Sequence, residues 1–365
     1  MLLTSLNAIR PFVYLAPMLS YQQSILEKLI VHFVGNPSNE EPLQISAACH
    51  EFADEHHDDL LRFLMHAFKT EGFYHFNMSG NPVYDACKAL FEGKQGLEEA
   101  SATIAKKLYE ESTHPKILPG DLLVAQIREV NLSNELHDAI VILKAEVEDP
   151  FMQVEWKGEV SDAILSRGYR LDRVDKACLI LSANPLEGYK VLVVDKTNGN
   201  AAEAQYWTDA FLDLEVSEDS YHFTQQYMNI TRQYVREQLP EDFQVTPADQ
   251  IAMLNRSSKF FKEKDQFALE EFADEVIGSP EVADAFKQYA AENVDMSGGD
   301  HSVSEAFDIN RQAVKKHAGM FRSVLKLDKN FHLYIHGNRN MIERGFDQEK
   351  NLNYYKVYFN NETTS

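Results

Sequence analysis

Between residues 121 and 196 the apolar positions gather into short runs rich in β-branched residues: DLLVAQIREV, DAIVILKAEV, FMQVEW, KACLILS and YKVLVVDK. Turn-prone pieces such as Glu187-Gly188 part them, so each run predicts a strand. Several are apolar at nearly every position, which predicts a sheet covered on both faces. Before this region the period changes. Leu60, Phe63, Leu64 and Phe68 recur at helical spacing, as do Ile104 and Leu108, and Ser38–Lys69 is rich in helix formers. Residues 1–115 are therefore expected to be mostly helical, ending at His114-Pro115 and Pro119-Gly120.

Residues 203–293 return to helix. Thr246-Pro247 predicts a helix start with Asp249 at the third position. Ser279-Pro280 opens another helix, with Val282, Phe286 and Tyr289 as its apolar stripe. The segment AENVDMSGGDHSVSE has no period and predicts a mobile loop. A further helix follows with Asp308 as its expected cap, and then strands at Ser323–Leu327, Phe331–His336 and Tyr354–Phe359.

Helices followed by strands predict an α+β protein with a mostly antiparallel sheet rather than a doubly wound βαβ fold. A chain of 365 residues exceeds one ordinary core, so two domains are expected. The first spans 1–202, helical over 1–115 and β-rich over 120–197. The second spans 203–365, helical over 203–293, with a basic helix and a small β-layer over 307–360.

Three cysteines (Cys49, Cys87 and Cys178) form no C-x-x-C pair, and Cys178 lies in an apolar run. That usage predicts neither a disulfide framework nor a zinc knuckle, and it fits a reducing cytoplasm. The opening residues MLLTSLNAIRPFVYLAPMLS lack a basic start, and no stretch is long enough to cross a bilayer.

Charge changes the picture at the end of the chain. The formal net charge is −22, yet residues 310–365 hold ten Lys/Arg against five acids. The closing segment is thus +5 and residues 1–309 are −27. A basic tail on an acidic body points to a polyanionic partner for the tail. Arg311 and Lys315 lie four apart on one helix face, with Lys316 beside them. Arg322, Lys326 and Lys329 follow soon after. In FHLYIH, His332, Tyr334 and His336 alternate with Phe331, Leu333 and Ile335; in YYKVYF, Tyr354, Lys356 and Tyr358 alternate with Tyr355, Val357 and Phe359. Were these strands in one sheet, one face would mix rings with cations, as base stacking and phosphate neutralisation require. A plain solvated face has the same pattern.

Other constellations carry less. Leu269–Glu292 has the outline of a helix-turn-helix about Gly278-Ser279-Pro280. Its second helix bears Glu281, Asp284 and Glu292, which the major groove repels, so two packed helices are expected. His50, Asp54, His57 and Asp58 would share one helix face, but not at the H-E-x-x-H spacing. Asp172, Asp175 and Asp195 fit turn caps better than a metal site. No phosphate-loop, dinucleotide or nucleophile-elbow motif occurs, and neither a cofactor nor catalysis is expected.

Ordered pieces along almost the whole chain resemble the bacterial nucleoid-associated family known as NdpA or YejK. They are HFVGNPSNEEPLQIS, FYHF, IAKKLYEESTHPKILPGDLLV, LDRVDKACLILS, EAQYWTDAFLDL, ADQIAMLNRSSKFF, AVKKHAGMFRSVLKLDKNFHLYIHG and ERGFDQEKNLNYYKVYF. The resemblance implies a non-enzymatic cytoplasmic protein of the nucleoid that binds double-stranded DNA, beside a topoisomerase or another chromosome-associated protein. It assigns no contact residues. Electrostatics alone selects Arg311, Lys315, Lys316, Arg322, Lys326, Lys329, Tyr334, His336, Arg339, Arg344, Lys356 and Tyr358 as the expected DNA surface. A homodimer is expected because two joined weak patches gain avidity. Two other classes compete. One is an acidic adaptor that binds a DNA-acting enzyme, and the other is a metal-dependent enzyme using carboxylates of the first half.

Overall fold

A computed structural model describes residues 19–70, 72–196, 206–293, 306–322, 324–328, 331–334 and 341–361. The chain divides into two compact units, 1–217 and 218–365. The fold is α+β, with one large antiparallel sheet and small two-stranded sheets toward the C-terminus.

The first unit contains β1 (Leu19–Ser20), β2 (Ile25–Val34), β3 (Leu43–Gln44), α1 (His57–Met65), β4 (Tyr74–Phe76), α2 (Pro82–Phe91) and α3 (Leu97–Glu111). It continues with β5 (Gly120–Leu132), β6 (Glu135–Ala145), β7 (Asp149–Lys157), β8 (Val160–Gly168), β9 (Lys176–Leu181), β10 (Lys190–Asp195) and β11 (Leu214–Val216). The main sheet runs β11-β4-β10-β9-β6-β5-β2-β3, with β1 also paired to β5. Its core strands are apolar at successive positions because each face has its own cover. Along β6, Ile140 and Ile142 join the cluster of α2 and α3. Ala139, Val141 and Leu143 join the opposite cluster, with Leu61, Phe63 and Leu64 of α1. Each fully buried Val, Leu or Ile contributes about 1.5–3 kcal/mol, so this double cover supplies most of the unit's cohesion.

Two local signals place α2. Pro82 sits in its first turn, and the Asn81 side chain accepts from the N–H groups of Val83 and Tyr84. The same side chain donates to the Leu212 carbonyl at 2.9 Å, tying the helix start to the end of the unit.

Three expectations need correction. The helix expected over Ser38–Lys69 is confined to His57–Met65 and the short turn Asp54–His56. Pro42 interrupts it, and residues 25–34 form a strand beside β5 because Leu26, Leu29, Ile30 and Val34 bury on its two faces. His50 precedes α1 and is exposed, so His50, Asp54, His57 and Asp58 do not share a helix face. Residues 206–216 belong with the first unit, where the sequence reading divides the chain after residue 202. Trp207 and Phe211 fill the core of α2 and α3, and β11 pairs with β4.

The second unit holds α4 (Ser220–Gln233), α5 (Leu239–Asp242), α6 (Pro247–Glu263), β12 (Gln266–Ala268), α7 (Leu269–Phe272), α8 (Pro280–Asn293), β13 (Ala306–Asp308) and α9 (Arg311–His317). It closes with β14 (Val324–Leu327), β15 (Phe331–Tyr334), β16 (Ile342–Asp347) and β17 (Leu352–Val357). Thr246 and Asp249 form a reciprocal capping box on α6, as their spacing predicts. Phe267 stacks on Phe307 at 4.8 Å and meets Phe272 at 5.3 Å within an aromatic core. Phe286 and Ala290 of α8 bury into the same core, so this helix is a packed element. Most of the segment AENVDMSGGDHSVSE lies outside the described residues.

Candidate nucleic-acid interface

The basic region begins at α9. Its cap is Asn310, not the expected Asp308: the Asn310 side chain accepts from Gln312 N–H at 3.0 Å and Ala313 N–H at 3.1 Å. Asp308 is instead drawn into β13, where it accepts from Gln266 at 3.1 Å. The backbone N–H of Asn310 donates to Thr224 Oγ1 at 2.9 Å, anchoring α9 to α4. Ala313 and Val314 bury, which leaves Lys315 and Lys316 exposed in the last turn, where cations also complement the helix dipole.

Arg311 has a different role. Its guanidinium donates to the Lys262 carbonyl at 2.7 Å and the Phe261 carbonyl at 3.3 Å, and to Asp265 at 2.5 Å. It therefore closes the C-terminal end of α6, and its charge is offset by Asp265.

A short 3-10 turn, Ala318–Phe321, carries the chain from α9 to Arg322. Arg322 is exposed and makes no ion pair among the described residues. Arg236 comes alongside, donating to the Arg322 carbonyl at 3.2 Å and the Met320 carbonyl at 3.4 Å. This cation escapes sequence reasoning because it stands 86 residues upstream, in the acidic stretch REQLPED. Nothing in its local sequence marks it.

The expected single β-layer is two separate hairpins, β14–β15 and β16–β17. Leu327 and Leu333 from the first, and Ile342 and Tyr355 from the second, pack around Ile251 of α6. In the first hairpin Lys326 is the cross-strand partner of His332, and Val324 of Tyr334. In the second, Glu343 faces Lys356 and Arg344 faces Tyr355. Glu343 gathers its neighbours: Tyr358 Oη donates to it at 2.9 Å, and Lys356 Nζ lies 3.5 Å away. The Tyr358 hydrogen bond, then the Lys356 charge, hold the Glu343 carboxyl below its ordinary pKa. Lys350 pairs with Asp347 at 3.7 Å. Arg344 is exposed and makes no ion pair among the described residues. Lys329, His336 and Arg339 lie outside the described residues.

The structure thus brings Lys315, Lys316, Arg322 and Arg236 onto neighbouring elements. It commits Arg311, Lys356 and Tyr358 to carboxylates. Aromatic side chains stay open on the second hairpin, with Phe346, Tyr354, Tyr358 and Phe359 all exposed.

Among its described residues the first unit shows carboxylates and a thiol in structural roles. Asp172 pairs with Arg170, and Asp175 accepts from the N–H groups of Glu146 and Val147, so both serve turns. Cys178 is fully buried, and burial pushes its thiol pKa up. Among the described residues no group of three or more His, Cys, Asp or Glu is placed to hold a metal. No helix among them is long and apolar enough to cross a membrane. No curated protein matches the chain. The family described as nucleoid-associated protein YejK matches residues 30–363, and the chain belongs to it.

Proposed function

We propose that this chain is a non-enzymatic DNA-binding protein of the cytoplasmic nucleoid that grips duplex phosphates with its second unit. Family membership carries the reading, since it names the nucleoid as the setting. The exposed cations Lys315, Lys316 and Arg322, with Arg236 beside them, support it. Arg344, exposed on the second hairpin, extends this set, and the expectation from sequence adds Lys326, Lys329, Tyr334, His336 and Arg339. Arg311, Lys356 and Tyr358 contribute less because carboxylates already engage them. Phosphate contacts fix position without reading sequence, so binding is sequence-tolerant. The −22 net charge opposes approach, which keeps single-copy affinity modest. Two copies joined would recover avidity. Reversing Lys315 and Lys316 to Glu together should weaken binding of a random-sequence duplex by about tenfold or more at low salt. Unchanged affinity removes the reading.

A second reading rests on the −27 carried by residues 1–309. Here the acidic body docks on a basic DNA-acting enzyme, such as a topoisomerase, and reaches DNA through it. Pull-down after nuclease treatment separates the two: a retained partner favours the adaptor, and loss of all partners favours direct contact.

A further inference from the structure

The register of β16 and β17 sorts their side chains onto two faces. One face carries Ile342, Arg344 and Phe346 against Val357, Tyr355 and Asn353. Ile342 and Tyr355 pack around Ile251, so this is the face the unit itself uses, with Phe346 and Val357 open at its margin. The other face carries Glu343, Gly345 and Asp347 against Lys356, Tyr354 and Leu352. Tyr358 continues that face just past β17, its N–H donating to the Met341 carbonyl at 2.8 Å. Two rings on this second face reach across the ribbon and are held by residues of β16. The Tyr354 ring lies over Gly345, where a Cβ would collide with its far end. The Tyr358 hydroxyl donates to Glu343 at 2.9 Å. Each tyrosine is still 45% exposed. Lys356 stands between them in sequence, with its Nζ 5.8 Å from the Tyr358 ring centre. Glu343 and Asp347 each have a lysine beside them, Lys356 at 3.5 Å and Lys350 at 3.7 Å, so the face has no net charge.

An aromatic ring fixed by one end and open on its face binds a flat ligand at little further entropic cost. Every nucleobase offers such a ligand, and stacking on protein rings tolerates any sequence. Building on the nucleic-acid role proposed above, we infer that this face binds single-stranded DNA, with one base on Tyr354 and another on Tyr358. The spacing of the rings favours an unpaired strand. They stand four residues apart along one strand, about 13 Å. Successive bases of a duplex strand rise only about 3.4 Å and already stack on each other. Bases reach both tyrosines only when they are splayed apart. The carboxylates favour the same occupant. An apolar peptide or a lipid surface laid on this face would bury Glu343 and Asp347, whereas two bases need only the ring faces and leave both ion pairs in water. The exposed cations Lys315 and Arg322 of the same unit supply attraction for the phosphates.

The test is fluorescence anisotropy of a labelled thymidine oligomer with the full chain. Tyr354→Ala and Tyr358→Ala should each weaken binding about fivefold or more, while Tyr354→Phe keeps the ring and should bind as wild type does. An abasic oligomer presents the same phosphates without bases, and wild type should bind it no better than Tyr354→Ala binds the thymidine oligomer. Crosslinking wild type to an oligomer of 5-bromodeoxyuridine needs no variant to fold, and its adducts should map to Tyr354 or Tyr358. Alanine variants that bind as wild type does, an abasic oligomer that binds equally well, or adducts found only elsewhere would overturn the proposal. Tighter binding of the matching uridine oligomer would assign the face to RNA and overturn it as well. Tyr354→Ala should leave affinity for a random-sequence duplex within about twofold, whereas reversal of Lys315 and Lys316 weakens the duplex. Failure of the stacking face is thus distinguishable from failure of the duplex grip.

Discussion

Lys144 on β6 and Lys176 on β9 stand directly opposite each other, both buried, and share the carboxylate of Glu146. Each ammonium lies 3.1 Å from a different Glu146 oxygen. Lys144 also donates to the Leu118 carbonyl at 2.6 Å, and both amines lie within 6 Å of the Tyr206 ring centre, at 5.9 and 5.8 Å. Facing lysines repel across a strand pair, so Glu146 is what makes the register tolerable. Glu146→Gln should destabilise the first unit by about 3–5 kcal/mol, because two buried cations lose their counter-charge. Urea unfolding measures it; a loss below about 1 kcal/mol would show that the cluster is solvated.

The same cluster predicts a pH dependence. Burial lowers the pKa of Lys144 from 10.5, and the nearby Glu146 only partly restores it. The unfolded chain therefore holds this proton more tightly than the folded one. The Lys144 contribution to stability is lowest below the folded pKa and rises with pH up to 10.5. Relative to Lys144→Met, wild type should gain stability as pH climbs through the alkaline range. Denaturant melts of both proteins at matched pH check this, and a constant gap would contradict it.

The start of α9 makes a discriminating pair. Asn310→Ala removes an almost fully buried cap and should cost about 1–2 kcal/mol of second-unit stability. Asp308→Ala should cost less, because Asp308 caps nothing. Equal effects would return the cap to the position its local sequence suggests.

Gly188 has φ +89°, and a Cβ there would lie 2.4 Å from the carbonyl oxygen of Phe76. That backbone is fixed, since Phe76 N–H donates to the Gly188 carbonyl at 3.0 Å. Gly188→Ala therefore combines a strained dihedral with a backbone clash and should cost more than about 2 kcal/mol. Thermal melting gives the answer, and a shift of a degree or less would refute the close approach.

Strands β5, β6, β9 and β10 were legible because each buries alternate residues in two covers, which writes a continuous apolar run. Strand β2 was not, since Glu27 and Lys28 read as helix formers and its stabilising partner, β5, lies far along the chain. The caps at Thr246 and Asn310 differ in the same way: one is complete within four residues, while the other depends on Thr224 as well. The cation surplus was visible by counting, but counting shows no pairing. Arg311 meets Asp265 across 46 residues, and Arg236 joins Arg322 from an acidic stretch. Two aromatic strands that read as one platform are separate ribbons, each giving residues to the packing around Ile251.

The central claim is that cations of the second unit meet phosphates. Its most direct test is the slope of log affinity against log salt for a random-sequence duplex, in wild type and in Lys315→Glu/Lys316→Glu. Each neutralised phosphate adds about 0.9 to the steepness, so wild type should show a clearly negative slope that becomes shallower by about two in the variant. A wild-type slope near zero, or one that the double reversal leaves unchanged, would contradict direct contact with DNA.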